Sequence, residues 1–117
     1  MDKNCRIKFG GSFNYLSDIH KINWLQRAIL VNSYLYYELD NPVVTDKKFD
    51  EICKQYLEMV NGMVPDRIAI GTEYGYVFFD FDGSTGFYLW DRLIESDKNK
   101  ISRIAKVVLK ESKRNGN

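Results

Sequence analysis

The period of the apolar positions changes part-way along this chain. From Asp18, which reads as a helix N-cap, Ile22, Leu25, Ile29, Tyr36 and Leu39 recur at helical spacing. Trp24, Ala28, Val31 and Leu35 form a second stripe beside the first. The helix therefore has a wide apolar face, and is expected at the centre of the core. It stops before Asn41-Pro42, because proline disfavours helical geometry in the residue ahead of it. Thr45 or Asp46 caps a second helix. There Phe49, Ile52, Cys53, Tyr56, Leu57 and Val60 follow the i, i+3, i+4, i+7 template, and Asn61-Gly62 closes it. Residues 18–61 read as a helical hairpin with a short Pro-containing connection.

After Pro65 the pattern predicts β-structure. Residues 67–70 (RIAI) read as a strand, 71–75 as a turn and 76–81 (YVFFDF) as a second strand, giving a small antiparallel ribbon. Asp82-Gly83-Ser84-Thr85 is turn chemistry followed by N-cap chemistry. A short helix carrying Phe87, Leu89, Trp90, Leu93 and Ile94 follows. The last helix places Ile101, Ile104, Ala105, Val108 and Leu109 on one face, and Lys98, Lys100, Arg103, Lys106 and Lys110 on the other. Residues 5–9 (CRIKF) read as a short strand ended by Gly10-Gly11-Ser12, and residues 113–117 as a frayed tail. The expected fold is α+β. It is a single domain over 1–117, with the hairpin followed over 66–112 by the β-ribbon and two C-terminal helices.

Composition narrows the function classes. At 117 residues there is length for one core without staples. With 44% apolar and 28% charged residues, the chain is not a disordered one. A net charge of +1 gives no global field that would announce a polyanion or a membrane surface. No apolar run is long enough to cross a bilayer, and no apolar segment near the N-terminus suggests a secretory signal. A cytoplasmic location is expected, with Cys5 and Cys53 as reduced thiols. His20 is the only histidine, and neither C-x-x-C nor H-x-x-x-H spacing occurs. No metal site is expected. His20 reads as a surface residue, and Cys53 as a buried thiol on an apolar stripe.

Three stretches carry candidate chemistry. Val77-Phe78-Phe79-Asp80-Phe81-Asp82-Gly83-Ser84 resembles the first motif of haloacid-dehalogenase-type phosphatases. That resemblance implies Asp80 as nucleophile and Asp82 as acid/base near Mg²⁺. It also requires a large doubly wound sheet and later Lys and Asp motifs, whereas the remaining third of the chain reads as helix. A strand-to-helix turn is the preferred reading. The same residues resemble the start of a calcium loop, but its twelfth position is Asp91, not Glu. The basic face of the last helix could track phosphates. Asp97 and Glu111 flank it, and ordinary solvation accounts for it as well.

The third stretch runs from Tyr34 to Asp50. It sets adjacent aromatics, Tyr36 and Tyr37, at the end of one helix. It sets two carboxylates, Asp46 and Asp50, one turn apart at the start of the next. A flat aromatic beside carboxylates suits a flat cationic ligand. The alternative is structural, with a tyrosine in the core and both acids favoured by a helix N-terminus. Tyr36, Tyr37, Asp40, Pro42, Asp46 and Asp50 fit the pattern Y-[HY]-x-x-D-x-P-x-x-x-D-x-x-Y-D. In this the chain resembles the N-terminal Ia domain of bacterial NAD⁺-dependent DNA ligases. The likeness covers residues 22–60, about a third of the chain.

The resemblance implies a site for nicotinamide mononucleotide (NMN) or NAD⁺. Tyr36 would stack on the nicotinamide, Tyr37 would hold the His-or-Tyr position, and Asp46 and Asp50 would make the polar contacts. Phe49 stands where the family has tyrosine, so one hydroxyl is missing. The nucleotidyltransferase lysine motif is absent, since Lys48-Phe49-Asp50-Glu51 lacks its glycine. The chain therefore resembles small stand-alone ligase-related proteins of phages and mobile elements, and no catalytic residue is assigned. Three functions follow as expectations. One is a non-catalytic nicotinamide-nucleotide-binding protein. Another is a phage accessory protein that inhibits a host defence system, anti-CRISPR-like, by binding a protein. The last is a small Mg²⁺-dependent phosphatase using Asp80 and Asp82. Nucleic acid on the basic helix is not favoured, and no cofactor is required.

Overall fold

The computed structural model describes residues 15–83 and 88–114. The expected strand at 5–9, Cys5, Ser84, Thr85, Phe87 and residues 115–117 lie outside them. Among the described residues, six helices follow one another: α1 (Tyr15–Ser33), α2 (Asp46–Val60), α3 (Pro65–Gly71), α4 (Gly75–Phe78), α5 (Leu89–Arg92) and α6 (Glu95–Arg114). A single π-helical turn, Tyr34–Glu38, extends α1. Among the described residues there is no strand, and none of these helices is long and apolar enough to cross a membrane.

The hairpin forms as its periodicity predicts. α1 lies at the centre and packs against both α2 and α6. Ile22, Leu25, Ile29, Leu30 and Leu35 are buried on its inner side. Asp18 is not the N-cap, because the helix begins at Tyr15; an acid in the first turn still suits the helix dipole. α2 is capped by Thr45, whose Oγ1 accepts from Lys48 N at 3.0 Å. Asp46 therefore occupies the first turn. Beyond α2, Gly62 adopts φ +89° and Met63 N donates to Val60 O at 2.9 Å, which reverses the chain in a tight turn.

The β-ribbon is not there, and the described residues form an all-helical fold rather than an α+β one. Residues 67–70 lie in α3. Pro65 opens that helix at its first position, where a missing N–H costs nothing, and Asp66 faces the dipole. Residues 76–81 form α4 and the turn after it. Propensity favoured strands here because the segment is rich in aromatic and β-branched residues. The buried apolar side chains, however, are Tyr74, Val77, Phe78 and Phe81, at i, i+3, i+4 and i+7. An isolated two-stranded ribbon would also bury little, whereas this short helix and the turn after it insert Phe78 and Phe81 into the core. Tyr56 of α2 meets Phe78 at 5.3 Å and Phe81 at 6.1 Å between ring centroids, and Phe78 meets Phe81 edge-on at 5.3 Å.

α3 and α4 cross closely. A Cβ on Gly75 would overlap the carbonyl oxygen of Ile68 and lie 2.7 Å from that of Ala69. Next to this crossing is a buried polar junction. The Gln26 side chain is fully buried. Its Nε2 donates to Thr72 Oγ1 at 2.8 Å and to Tyr56 Oη at 3.3 Å. Its Oε1 accepts from Tyr74 N at 2.9 Å. One amide thus ties α1 to α2 and to the α3–α4 turn. On the surface beside it, Glu73 pairs with Arg27 at 3.1 Å and Lys100 at 3.2 Å. Of the short helix expected over residues 85–95, Leu89–Arg92 is helical, and Leu93 is extended at ψ 138° and ends it before α6. At the start of α6, Tyr76 Oη donates to Asp97 Oδ2 at 2.5 Å and accepts from Ile94 N at 3.2 Å.

Candidate functional site

The far end of the hairpin is irregular, and the irregularity sets the site. α1 does not stop at a simple cap but widens into the π turn. There Leu39 N reaches back five residues to Tyr34 O at 3.1 Å, and Asn41 N donates to Leu35 O at 2.8 Å. Asp40 closes the turn in the left-handed region, at φ 51°. It is the only described non-glycine residue with positive φ. Aspartate tolerates this region better than most residues, and a left-handed residue is a common way to end a helix.

The π turn shifts the helical phase. Leu35 is fully buried, while Tyr36 and Tyr37, expected in part on the apolar stripe, are 40% and 45% exposed. Their rings pack on each other with centroids 4.8 Å apart and planes tilted by 33°. The result is a two-ring aromatic ledge at the hairpin end. Tyr34, on the same turn, instead faces inward and meets the Trp90 ring at 4.5 Å.

The carboxylates follow on α2. Asp46 and Asp50 are both exposed and lie one turn apart, about 6 Å along the axis. Phe49 is half-buried and packs against the core, so its ring serves the fold. Asp50 borders a hollow of about 280 Å³ with Cys53, Lys54, Leu57, Asp82 and Gly83. Tyr36, Tyr37 and Asp46 do not line that hollow. Acids from two separate sequence stretches, Asp50 and Asp82, therefore share one depression. Gly83 stands there at φ +85°, where a side chain would also meet Leu57.

Burial, reinforced by the Asp50 charge, pushes the Cys53 thiol up to about 11. The thiolate is the reactive form, so Cys53 is expected to resist iodoacetamide at pH 8 in the folded protein and to react fully in urea. Peptide mass mapping reads both states. Rapid labelling of Cys53 in the folded chain would contradict its burial.

The Asp80/Asp82 stretch does not form the strand-borne pair that the phosphatase resemblance requires. Asp80 follows α4 and is gripped by Arg92, whose Nη1 lies 2.7 Å from Oδ1 and Nη2 3.2 Å from Oδ2. Arg92 also donates to Val77 O at 2.9 Å, and its guanidinium lies over the Tyr88 ring at 4.8 Å and the Phe79 ring at 5.1 Å. The hydrogen bonds from Arg92 hold the Asp80 carboxyl below its ordinary pKa. This cluster clamps α4 to α5. His20 is exposed on α1, and no group of three potential metal ligands occurs among the described residues.

One feature was not visible in the pattern. Trp24 sits on a predicted core stripe but is 61% exposed. It edges an apolar groove of about 280 Å³ that includes Val31, Val43, Val44, Ile52, Ile104 and Val108. The sequence signal that could have found it is Trp24's place at the margin of a face too wide for two neighbouring helices to cover.

No family model, curated protein or solved structure matches this chain. The likeness to the ligase Ia domain therefore rests on residues 22–60 alone.

Proposed function

We propose that the chain is a non-catalytic binding protein whose recognition element is the hairpin end, and that its ligand carries a flat cationic ring, as in the nicotinamide of NAD⁺ or NMN. The observation that carries this reading is the exposed Tyr36–Tyr37 ledge on a π turn closed by a left-handed Asp40. A positively charged ring over a tyrosine face gains quadrupole attraction, and Asp46, in the first turn of α2, would supply the polar contact that the ligase resemblance implies, while Asp50 borders a different hollow. The missing hydroxyl at Phe49 does not disturb the ledge, because that ring is turned to the core. The reading is non-catalytic because the groups most suited to chemistry are engaged otherwise. Asp80 is paired with Arg92, and the Cys53 thiol is buried.

Calorimetric titration with NMN and with NAD⁺ tests the proposal. Wild type is expected to bind saturably, with a rise in thermal midpoint by linkage. Tyr36→Ala is expected to weaken binding at least about tenfold, the loss of one well-placed stacking contact, and Asp46→Asn severalfold. Both positions are exposed, so neither change should unfold the chain. Equal affinity of wild type and both variants would remove the ledge from recognition.

A second reading is favoured by Trp24. An exposed tryptophan beside an apolar groove is the kind of anchor that dominates protein–protein contacts. On this reading the chain is an accessory inhibitor of a host defence system that acts by binding a protein. Trp24→Ala would then abolish activity, and Tyr36→Ala would leave it intact.

A further inference from the structure

α6 presents two kinds of cation, and the difference between them defines a surface. Lys98 and Lys100 are engaged. Lys98 lies over the Trp90 ring at 5.9 Å, and Lys100 pairs with Glu73 at 3.2 Å. Arg103, Lys106, Lys110 and Lys113 are exposed and have no ion-pair partner among the described residues. Arg114 extends the series and touches Glu111 only at 3.6 Å. At helical pitch these five side chains fall within about 100° of arc and span roughly 16 Å, with axial steps of about 1.5–6 Å. The helix runs unbroken from Glu95 to Arg114, so Lys113 and Arg114, expected in a frayed tail, continue it.

The acids near this row do not neutralise it. Asp97 accepts the Tyr76 hydroxyl at the other end of the helix, and Glu73 is shared by Arg27 and Lys100. Glu95 and Glu111 remain, the first at the start of α6 and the second at the edge of the cationic arc. The net charge of +1 thus conceals a local concentration of positive charge on one face.

We propose that this outer face of α6 binds the phosphate backbone of duplex nucleic acid. A duplex presents closely spaced negative charges along a stiff rod, and a row of five cations, four of them without an ion pair among the described residues, complements it without any groove-reading side chain. A membrane surface is the less suitable partner. Helices that lie on bilayers insert a wide apolar face, whereas the apolar face of α6, through Ile101 and Ala105, is buried in the core. The exposed Val107 lies just outside the cationic arc. This surface is separate from the tyrosine ledge, and the inference does not depend on the ligand bound there.

The test is anisotropy of a labelled 20-base-pair duplex titrated with the whole chain between about 50 and 200 mM salt. Four to five phosphate contacts predict a log–log salt slope of about −4, and a loss of affinity of roughly two orders of magnitude over that range. Lys106→Glu combined with Lys110→Glu is expected to weaken binding at least about tenfold at low salt and to halve the slope. Lys21→Glu with Lys47→Glu changes net charge equally and is expected to cost less than about threefold if the row, not the overall charge, is responsible. All four positions are exposed, and thermal melts will show the variants folded. Absence of duplex binding at 50 mM salt would overturn the proposal, as would equal losses in the two charge-reversed variants. Binding to vesicles containing phosphatidylserine without binding to the duplex would also overturn it and assign the face to a membrane.

Discussion

Gln26→Ala is expected to destabilise the protein by about 3–4 kcal/mol, a large part of the stability of a domain this size. The amide is fully buried and joins three elements. Truncation leaves the Tyr74 N–H buried without its acceptor and takes a donor from the Tyr56 hydroxyl. It also opens a cavity between α1 and α2. An orphaned buried group costs about 1–3 kcal/mol and the cavity adds to that. Gln26→Leu separates the two terms. It refills most of the volume but restores no hydrogen bond, so about half the loss should remain. The Tyr56 hydroxyl, already pushed up to about 12 by burial, would then have still less reason to ionise. Urea unfolding of the three proteins measures this. A cost below about 1 kcal/mol for Gln26→Ala would mean that the junction does not organise the core.

Gly75→Ala is expected to cost at least about 3 kcal/mol, with disruption of the α3–α4 crossing. The added methyl would run into backbone atoms of Ile68 and Ala69, not into a side chain that can rotate away. Relief requires the two helices to separate, which would withdraw Val77 and Phe78 from the core. The other glycines provide a graded comparison. Gly62, at φ +89° with open space around it, should lose only about 1 kcal/mol on change to alanine. Gly71 has open space and an ordinary backbone, so Gly71→Ala should be neutral or slightly stabilising. The order 75, then 62, then 71 in thermal midpoint is the expected result. A tolerated Gly75→Ala would contradict the close crossing.

The hairpin was legible because its signals agree at every level. Apolar period, the Thr45 cap, Pro42 and the Asn61-Gly62 ending all point to the same two helices. The second half was misread where propensity and spacing conflict. Ile, Val, Tyr and Phe favour strands residue by residue, yet Tyr74, Val77, Phe78 and Phe81 have helical spacing, and the core follows spacing. Gln26 carried a signal of its own, a polar residue inside the widest apolar face of the chain. Its partners, 30 to 48 residues away, could not be read locally. The same holds for Asp80. Its pairing with Arg92, twelve residues on, depends on α4 and α5 lying together.

At the candidate site, the residue types were legible and their presentation was not. Adjacent tyrosines followed by spaced carboxylates can be read from sequence. Whether Tyr36 faces the core or the solvent depends on helical phase, and the π turn resets that phase at Tyr34. The structure brings Tyr36 and Tyr37 together, and it places Asp50 with Asp82 in a hollow that Tyr36, Tyr37 and Asp46 do not line.

The most direct test of the central claim is a two-dimensional ¹⁵N–¹H spectrum recorded during titration with NMN. A nicotinamide ring on the ledge would shift amide resonances by its ring current within a few residues of Tyr36 and Tyr37. Saturable shifts confined to about residues 34–50 are expected, with the strongest at the π turn. Shifts centred instead on the Trp24 groove, or none at millimolar NMN, would contradict it.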